Sequence, residues 1–320
     1  MLRTDIIHDI RNVLAKAGFY LSEENESRII CFDLIARRDN LLVIIKILTN
    51  VDSFSKTNAN ELFVLSTMLG GTPLLIGEHN SKKKIESGII YLRYGIPMFN
   101  FQTLHDFFIE GTPPLIFSAP GGFYVNIDGD ALREARQAQG ISLGRLAEIA
   151  GVSRKAIQMY EKGMSSTIDI ALRLEDCLKI PLIQALDPFS LRDAADEISI
   201  EPELDAEKPH GIEIDIFNQL RLLGYNVVPT ILCPFDALSK DSKVLIITGI
   251  SKQNRNTMEK AKVMANISKI TEHYSVMFSE KSVKKENLAG TPIIQKAELD
   301  KMADSEEILT LISERIKIYH

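Results

Sequence analysis

The chain has no tryptophan and only three cysteines in 320 residues. Cys31, Cys177 and Cys233 lie far apart and form no C-x-x-C pair, which argues against a disulfide framework and against a structural zinc site. Each stands in an apolar run and reads as a small core residue in a reducing compartment. The six histidines are scattered, with none three or four residues from another, so no metal site is expected from them. No apolar run approaches the roughly 18–20 residues of a membrane-spanning helix. The opening MLRTDIIHDIRNVL mixes charges into an amphipathic pattern and lacks a signal peptide's basic segment and greasy core. The reading is a cytoplasmic protein with no cofactor and no membrane partner. Positive charge is not in excess either: 37 Lys+Arg face 43 Asp+Glu, a formal net charge of -6. That excludes a protein that coats nucleic acid indiscriminately, but it leaves room for a local basic face. At 45% hydrophobic and 25% charged, the chain is not wholly disordered. Its length predicts about two or three domains.

Two stretches have the composition of linkers. One is GTPPLIFSAPGGFYVNIDG, from Gly111 to Gly129, with a strand-like run over Phe123–Ile127. The other, roughly Ala194 to Gly211, is acidic and poor in large apolar residues. The division expected is an α/β part over 1–112, a linker over 113–129, a helical part over 130–190, an acidic linker over 191–210 and a second α/β part over 211–320.

The two flanking parts resemble each other. FDLIARRDNLLVIIKI, from Phe32, aligns without a gap on FDALSKDSKVLIITGI, from Phe235, with five of sixteen positions identical. Upstream, Leu14…Ala17-Gly18-Phe19 matches Leu220…Leu223-Gly224-Tyr225, and downstream Gly95-Ile96-Pro97 matches Gly290-Thr291-Pro292. Three matches in one order predict a duplication. In the first copy, the periodicity predicts a helix over Asp5–Ala17, with Ile6, Ile10, Val13 and Leu14 inward and Gly18 as its stop. A hairpin follows around Arg38-Asp39-Asn40, then a helix over Asn58–Leu69, short strands at Pro73–Ile76 and Pro97–Asn100, and a helix over Thr103–Ile109.

Between the copies, five short helices are expected. The first spans about Ala131–Gln139 with Asp130 as its cap. The second starts at the N-cap Ser142, with Leu143, Leu146, Ile149 and Ala150 inward. The third starts at Ser153 and ends before Gly163. The fourth covers Ile168–Leu178, and a short fifth follows Pro181. Ala147 sits where two helices must pack closely, Gly151 at a tight turn that demands positive φ, Val152 in the turn and Ile157 facing the core. The pattern L-x-x-L-A-x-x-A-G-V-S-x-x-x-I-x-x-Y-E-x-G closely resembles the phage-repressor class of helix-turn-helix domains, the Cro and cI type also called XRE. That resemblance implies a bundle whose third helix lies in the major groove of double-stranded DNA. It places Ser153, Arg154, Lys155, Gln158 and Met159 on the exposed face of the recognition helix, about 153–162. Arg154 and Lys155 suit guanine O6 and N7, and Gln158 suits a base edge or a phosphate. Met159 suits a thymine methyl or weakens readout. Ser142, Ser153, Arg145 and Lys162 suit the phosphate backbone.

The order of elements in the N-terminal part resembles the restriction-endonuclease-like fold. In that fold an Asp on one strand and an acid-x-Lys on the next bind magnesium and position water. Asp33 and Lys46 are present, but Ile44 stands where the acid should be, and isoleucine cannot ligate a hard cation. In the second copy Asp236 remains, with Ile247 and Gly249 in place of acid and lysine. The fold class expected is therefore α+β multidomain: a repressor-like helix-turn-helix between two related, degenerate restriction-endonuclease-like domains, and no enzyme. The whole arrangement resembles a group of archaeal transcriptional regulators. One helix-turn-helix reads only a few base pairs, so a homodimer is expected, with the duplicated domains as its interface. The alternatives are a protein-interaction or antitoxin-like controller module and a nuclease-related enzyme. The effector, the operator and the sign of regulation are not legible in the sequence.

Overall fold

The computed structural model describes residues 3–23, 31–189, 211–251, 257–281 and 285–317. The expected acidic linker lies outside them. The first copy runs α1 (Arg3–Lys16), β1 (Tyr20–Leu21), β2 (Leu34–Arg38), β3 (Leu41–Asn50), α2 (Lys56–Leu69), β4 (Thr72–His79), β5 (Ile89–Arg93), β6 (Ile96–Phe99) and α3 (Phe101–Phe108). The middle segment runs β7 (Ile116–Ala119), β8 (Gly122–Ile127), α4 (Gly129–Ala138), α5 (Leu143–Ala150), α6 (Arg154–Tyr160), β9 (Ser166–Thr167), α7 (Ile168–Leu178) and β10 (Ile183–Gln184). The last part runs α8 (Ile212–Leu222), β11 (Asn226–Pro229), β12 (Ala237–Lys240), β13 (Leu245–Ser251), α9 (Thr257–Thr271), β14 (Tyr274–Ser279), β15 (Asn287–Leu288), β16 (Thr291–Gln295), α10 (Lys296–Leu299) and α11 (Ser305–Lys317).

The duplication extends to strand order and register. Neighbouring strands follow β1-β2-β3-β4-β6-β5 in the first copy and β11-β12-β13-β14-β16-β15 in the second. In the parallel pairs, Leu75 faces Met98 and Ile76 faces Phe99, while Met277 faces Ile293 and Phe278 faces Ile294; the β6 and β16 members directly follow the aligned Gly95-Ile96-Pro97 and Gly290-Thr291-Pro292. The left-handed turn residues recur too. Tyr94 and Gly95 have φ 50 and 77, and their counterparts Ala289 and Gly290 have φ 51 and 95. This twist suits the two-residue hairpins β5–β6 and β15–β16. Strand β5, in a run of ordinary charged and apolar residues, was not expected from the sequence.

The chain divides into two compact units. One comprises Met1–Val13, Leu48–Val51 and Leu75–Ile198, and the other Leu14–Ile47, Asp52–Leu74 and Ser199–His320. In the second unit, parts of the two copies pack reciprocally: α9 lies against β2, and α2 lies against β12. Its core gathers Ile216, Phe217, Leu220, Val276, Phe278, Ile294 and Ile308, all buried. In the first unit, Leu132, Leu146, Ala147, Ala150, Ile157, Ala171 and Leu174 form the core of the helical segment, with Val125 and Ile127 of β8 beside them. The glycine- and proline-rich stretch expected as a linker thus folds as the hairpin β7–β8, and β8 belongs to the helical core.

Three expectations for the helical segment are corrected. The cap of α4 is Asp128, whose side chain accepts the Ala131 N–H at 2.9 Å, and not Asp130, which pairs instead with Arg133. Ile149 points outward, 38% exposed, and α5 packs through Leu146, Ala147 and Ala150. The segment after Pro181 is strand β10 and not a fifth helix. Ile183 and Gln184 pair with Ile127 and Asn126 of β8, and the N–H groups of Leu182 and Ile183 donate to Glu175. An open sheet edge and a waiting carboxylate outcompete a helix too short to propagate. Among the described residues no helix is long and apolar enough to cross a membrane.

Candidate nucleic-acid interface

The turn between α5 and α6 is built as its residue types require. Ser142 caps α5 by accepting the Arg145 N–H at 3.1 Å, and Ser153 caps α6 by accepting the Ala156 N–H at 3.1 Å. Gly151 closes α5 at φ 72, a conformation in which a side chain clashes with the backbone. Its N–H and that of Val152 return to Glu148 and Ala147. Val152 packs partly buried against the core, and Ile157 and Tyr160 bury the inner face of α6. Desolvation pushes the Tyr160 phenol upward, with Tyr124 adding to it. At Gly129 the start of α4 meets the end of α6 so closely that a Cβ would sit 2.7 Å from the Tyr160 carbonyl oxygen.

With Ile157 and Tyr160 inward, Ser153, Arg154, Lys155, Gln158, Met159 and Lys162 are all exposed, and so are Ser142 and Arg145 at α5. Arg154, Lys155, Gln158 and Met159 fall on one helical face by their spacing. Arg154 lies back across Gly144 of α5, whose missing Cβ would stand 3.5 Å from its Nε.

The charge balance of this face is set by where the acids go. Arg133 pairs with Asp130, and Arg145 with Glu148, both on the surface. Glu161, the acid at the end of α6, is turned inward and held by Arg136 of α4 at 2.5 and 3.2 Å, with both side chains nearly buried. Arg173 donates to the Ala150 carbonyl at the turn. Arg154, Lys155 and Lys162 form no ion pair among the described residues. The segment therefore carries balanced charge overall, yet presents three cations without an ion pair among the described residues, two on α6 and one just after it.

The residues of the nuclease-like motif are also brought together, as an ion pair and a backbone hydrogen bond. Asp33, just before β2, accepts the Ile47 N–H at 2.7 Å and stands 3.3 Å from the Lys46 ammonium. Ile44 is fully buried. In the second copy Asp236 accepts the Ile250 N–H at 2.6 Å and pairs with Lys260 of α9. The same carboxylate thus locks the same hairpin in both copies, while the cation beside it comes from a strand in one and from a helix in the other.

Comparison with known proteins agrees with both parts. Residues 3–114 match the family described as a PD-(D/E)XK superfamily domain, and residues 132–184 match a helix-turn-helix family. A Methanosarcina barkeri protein described as a "Putative HTH-type transcriptional regulatory protein" is 40% identical, with 98% of each chain covered. Relatives with the same description occur in Methanosarcina acetivorans, at 39% identity and 98% of each chain, and in Natronomonas pharaonis, at 36% identity over 98% of this chain and 99% of the relative. The chain belongs to this archaeal family of HTH-type regulatory proteins. These matches extend over the α/β parts on both sides of the helix-turn-helix.

Proposed function

We propose that the protein is a sequence-specific, double-stranded-DNA-binding transcriptional regulator that acts as a homodimer. The observation that carries this reading is the exposed surface of α6 and the residues just after it, where Arg154, Lys155 and Lys162 form no ion pair among the described residues while Glu161 is neutralised from inside by Arg136. In the major groove, Arg154 and Lys155 address base edges, Gln158 an edge or a phosphate, and Met159 a thymine methyl. Ser142, Ser153, Arg145 and Lys162 fix the protein on the backbone. Regulation follows from occupancy, by blocking or recruiting other proteins at a promoter, in the cytoplasm and without a cofactor in the DNA-reading step. A second copy supplies the second recognition helix about 34 Å along one face of the duplex. Since α2 and α9 already cover β12 and β2 within the chain, that copy docks on other surfaces of the α/β parts. Selection from random duplex DNA at about physiological salt is expected to enrich an inverted repeat. Enrichment of no sequence would refute specific readout and favour the interaction-module reading.

The nuclease-like domains act in this reading as scaffold and not as catalyst. Ile44 is buried where a hard cation needs an acid, and Asp33 and Lys46 already answer each other and the Ile47 N–H. The full chain with magnesium or manganese is expected to leave supercoiled plasmid intact. Metal-dependent nicking that Asp33→Ala abolishes would overturn this assignment.

A further inference from the structure

The second unit contains a cluster that the DNA-reading role does not use. Cys31, just ahead of β2, and Cys233, in the loop between β11 and β12, bring their sulfurs to 3.0 Å. Glu61 of α2 joins them, so that two thiols and a carboxylate oxygen lie within 4.8 Å of one another. Glu61 is only 2% exposed, and Cys31 is fully buried. One Glu61 oxygen, Oε1, accepts the N–H groups of Ile231 at 2.8 Å and Leu232 at 2.6 Å. The other, Oε2, is buried and has no hydrogen-bond partner. Buried polar atoms are nearly always satisfied, because an unmade hydrogen bond there keeps its whole desolvation cost. The Cys31 N–H donates to the Leu232 carbonyl at 2.9 Å, so the two cysteine segments are held together by backbone as well.

We infer that Cys31, Glu61 and Cys233 form a binding site for a thiophilic divalent cation of the zinc class. Three groups that would each carry negative charge converge in an interior that penalises it. Two thiolates and one carboxylate make a donor set that suits zinc, with a water completing four-coordination. Binding displaces both thiol protons to solvent and leaves two thiolates on the metal, with no change of oxidation state. A tetrahedral zinc keeps its sulfurs about 3.7 Å apart, so the thiols need to separate by less than an ångström. A Cys31–Cys233 disulfide would need comparable closure, but it gives the unpartnered Glu61 oxygen nothing to bind. The cation gives that oxygen its partner. The site ties the segment before β2 and helix α2, both of the first copy, to the β11–β12 loop of the second. It therefore clasps the reciprocal packing of α2 on β12 and α9 on β2.

The test uses the full chain, purified under reducing conditions without chelator. Elemental analysis is expected to find about one zinc per chain, or about one after dialysis against zinc chloride. A thiol reagent is expected to modify Cys177 and to spare Cys31 and Cys233 until a chelator is added. Glu61→Gln keeps both thiols and is expected to weaken zinc by at least about tenfold in competition with a chromophoric chelator. Cys31→Ser with Cys233→Ser is expected to abolish stoichiometric binding. A wild-type chain that stays metal-free after zinc dialysis overturns the assignment. So does a reducible mass loss of two hydrogens in the wild type, which would mark a disulfide. Both readouts on the wild type stand even where a variant fails to fold.

Discussion

Arg136→Ala is expected to destabilise the helix-turn-helix core by about 3–5 kcal/mol, the usual consequence of removing one partner of a buried ion pair. The Arg136 guanidinium holds Glu161 through two nitrogens and donates a third bond to the Ile141 carbonyl at 3.2 Å. The two side chains are 12% and 9% exposed. Truncating the arginine leaves a carboxylate stranded at the end of α6 and a carbonyl without its donor. Exchanging both partners for apolar residues, Arg136→Met with Glu161→Leu, removes the desolvation cost together with the attraction, and should lie far closer to the wild type. Hydrogen exchange at the amides of α4 to α6 reports on this segment alone, which matters in a chain of several domains whose unfolding need not be two-state. Wild-type protection in Arg136→Ala would show that the pair is not buried in solution. On the proposed function the same pair also matters for binding: it turns the acid that caps α6 inward, so its loss is expected to weaken DNA binding even in molecules that remain folded.

How far the sequence discloses this protein depends on the distance over which each feature is encoded. The helix-turn-helix is local. Ser142, Gly151, Ser153 and Ile157 lie within one short stretch, and each has a backbone or packing reason for being where it is, so caps, turn and buried face all follow from spacing. The duplication is legible because Gly18 and Gly224, or Gly95 and Gly290, mark the same left-handed turns in both copies. What fails is where tertiary partners decide. Ile183 and Gln184 become strand β10 because β8 offers an edge and Glu175 two hydrogen bonds, neither of which shows in the local pattern. Ile149 is apolar at a helical spacing that counts as core, yet α5 is already covered by Leu146, Ala147 and Ala150. Arg136 and Glu161 are separated by two helices, so the neutralisation that makes α6 basic could not be read from a balanced charge count. The Cys31–Cys233 juxtaposition spans 202 positions and depends on how the two copies fold against each other. Scattered cysteines with no C-x-x-C spacing exclude a local zinc motif only, not a site assembled from distant segments.

The proposed use of an endonuclease-like domain as scaffold has a physical logic. Asp33 and Asp236 share one role that needs no metal, which is accepting a backbone N–H across the hairpin they precede. With isoleucine at position 44, the Lys46 ammonium stands 3.3 Å from the Asp33 carboxylate. The second copy has gone further, with glycine at 249 and its cation supplied by Lys260. Selection on such a domain then acts on packing and on partner surfaces, which fits a body that carries and positions a DNA-reading element.

Arg154→Ala and Lys162→Ala should separate base reading from backbone attraction. Arg154 stands at the first turn of α6, exposed, without an ion pair among the described residues, and backed by Gly144. A guanidinium so placed can meet a guanine edge through two parallel hydrogen bonds. Its loss is expected to cost about 1–3 kcal/mol on the selected sequence, to relax preference at one base position, and to change little on a scrambled duplex. Lys162 follows the helix, where an ammonium meets phosphate as a point charge. Its loss should weaken both duplexes alike and lower the slope of log affinity against log salt by about one counterion. Anisotropy titrations on both duplexes at several salt concentrations give these quantities together. Combining Arg154→Ala with Lys155→Ala should bring the selected sequence most of the way to the affinity of the scrambled one, because both cations proposed to read bases are then gone while the proposed backbone contacts remain. Equal losses on the two duplexes for Arg154→Ala would place that side chain on the phosphates. The reading of α6 as the specificity element would then have to rest on Lys155, Gln158 and Met159 alone.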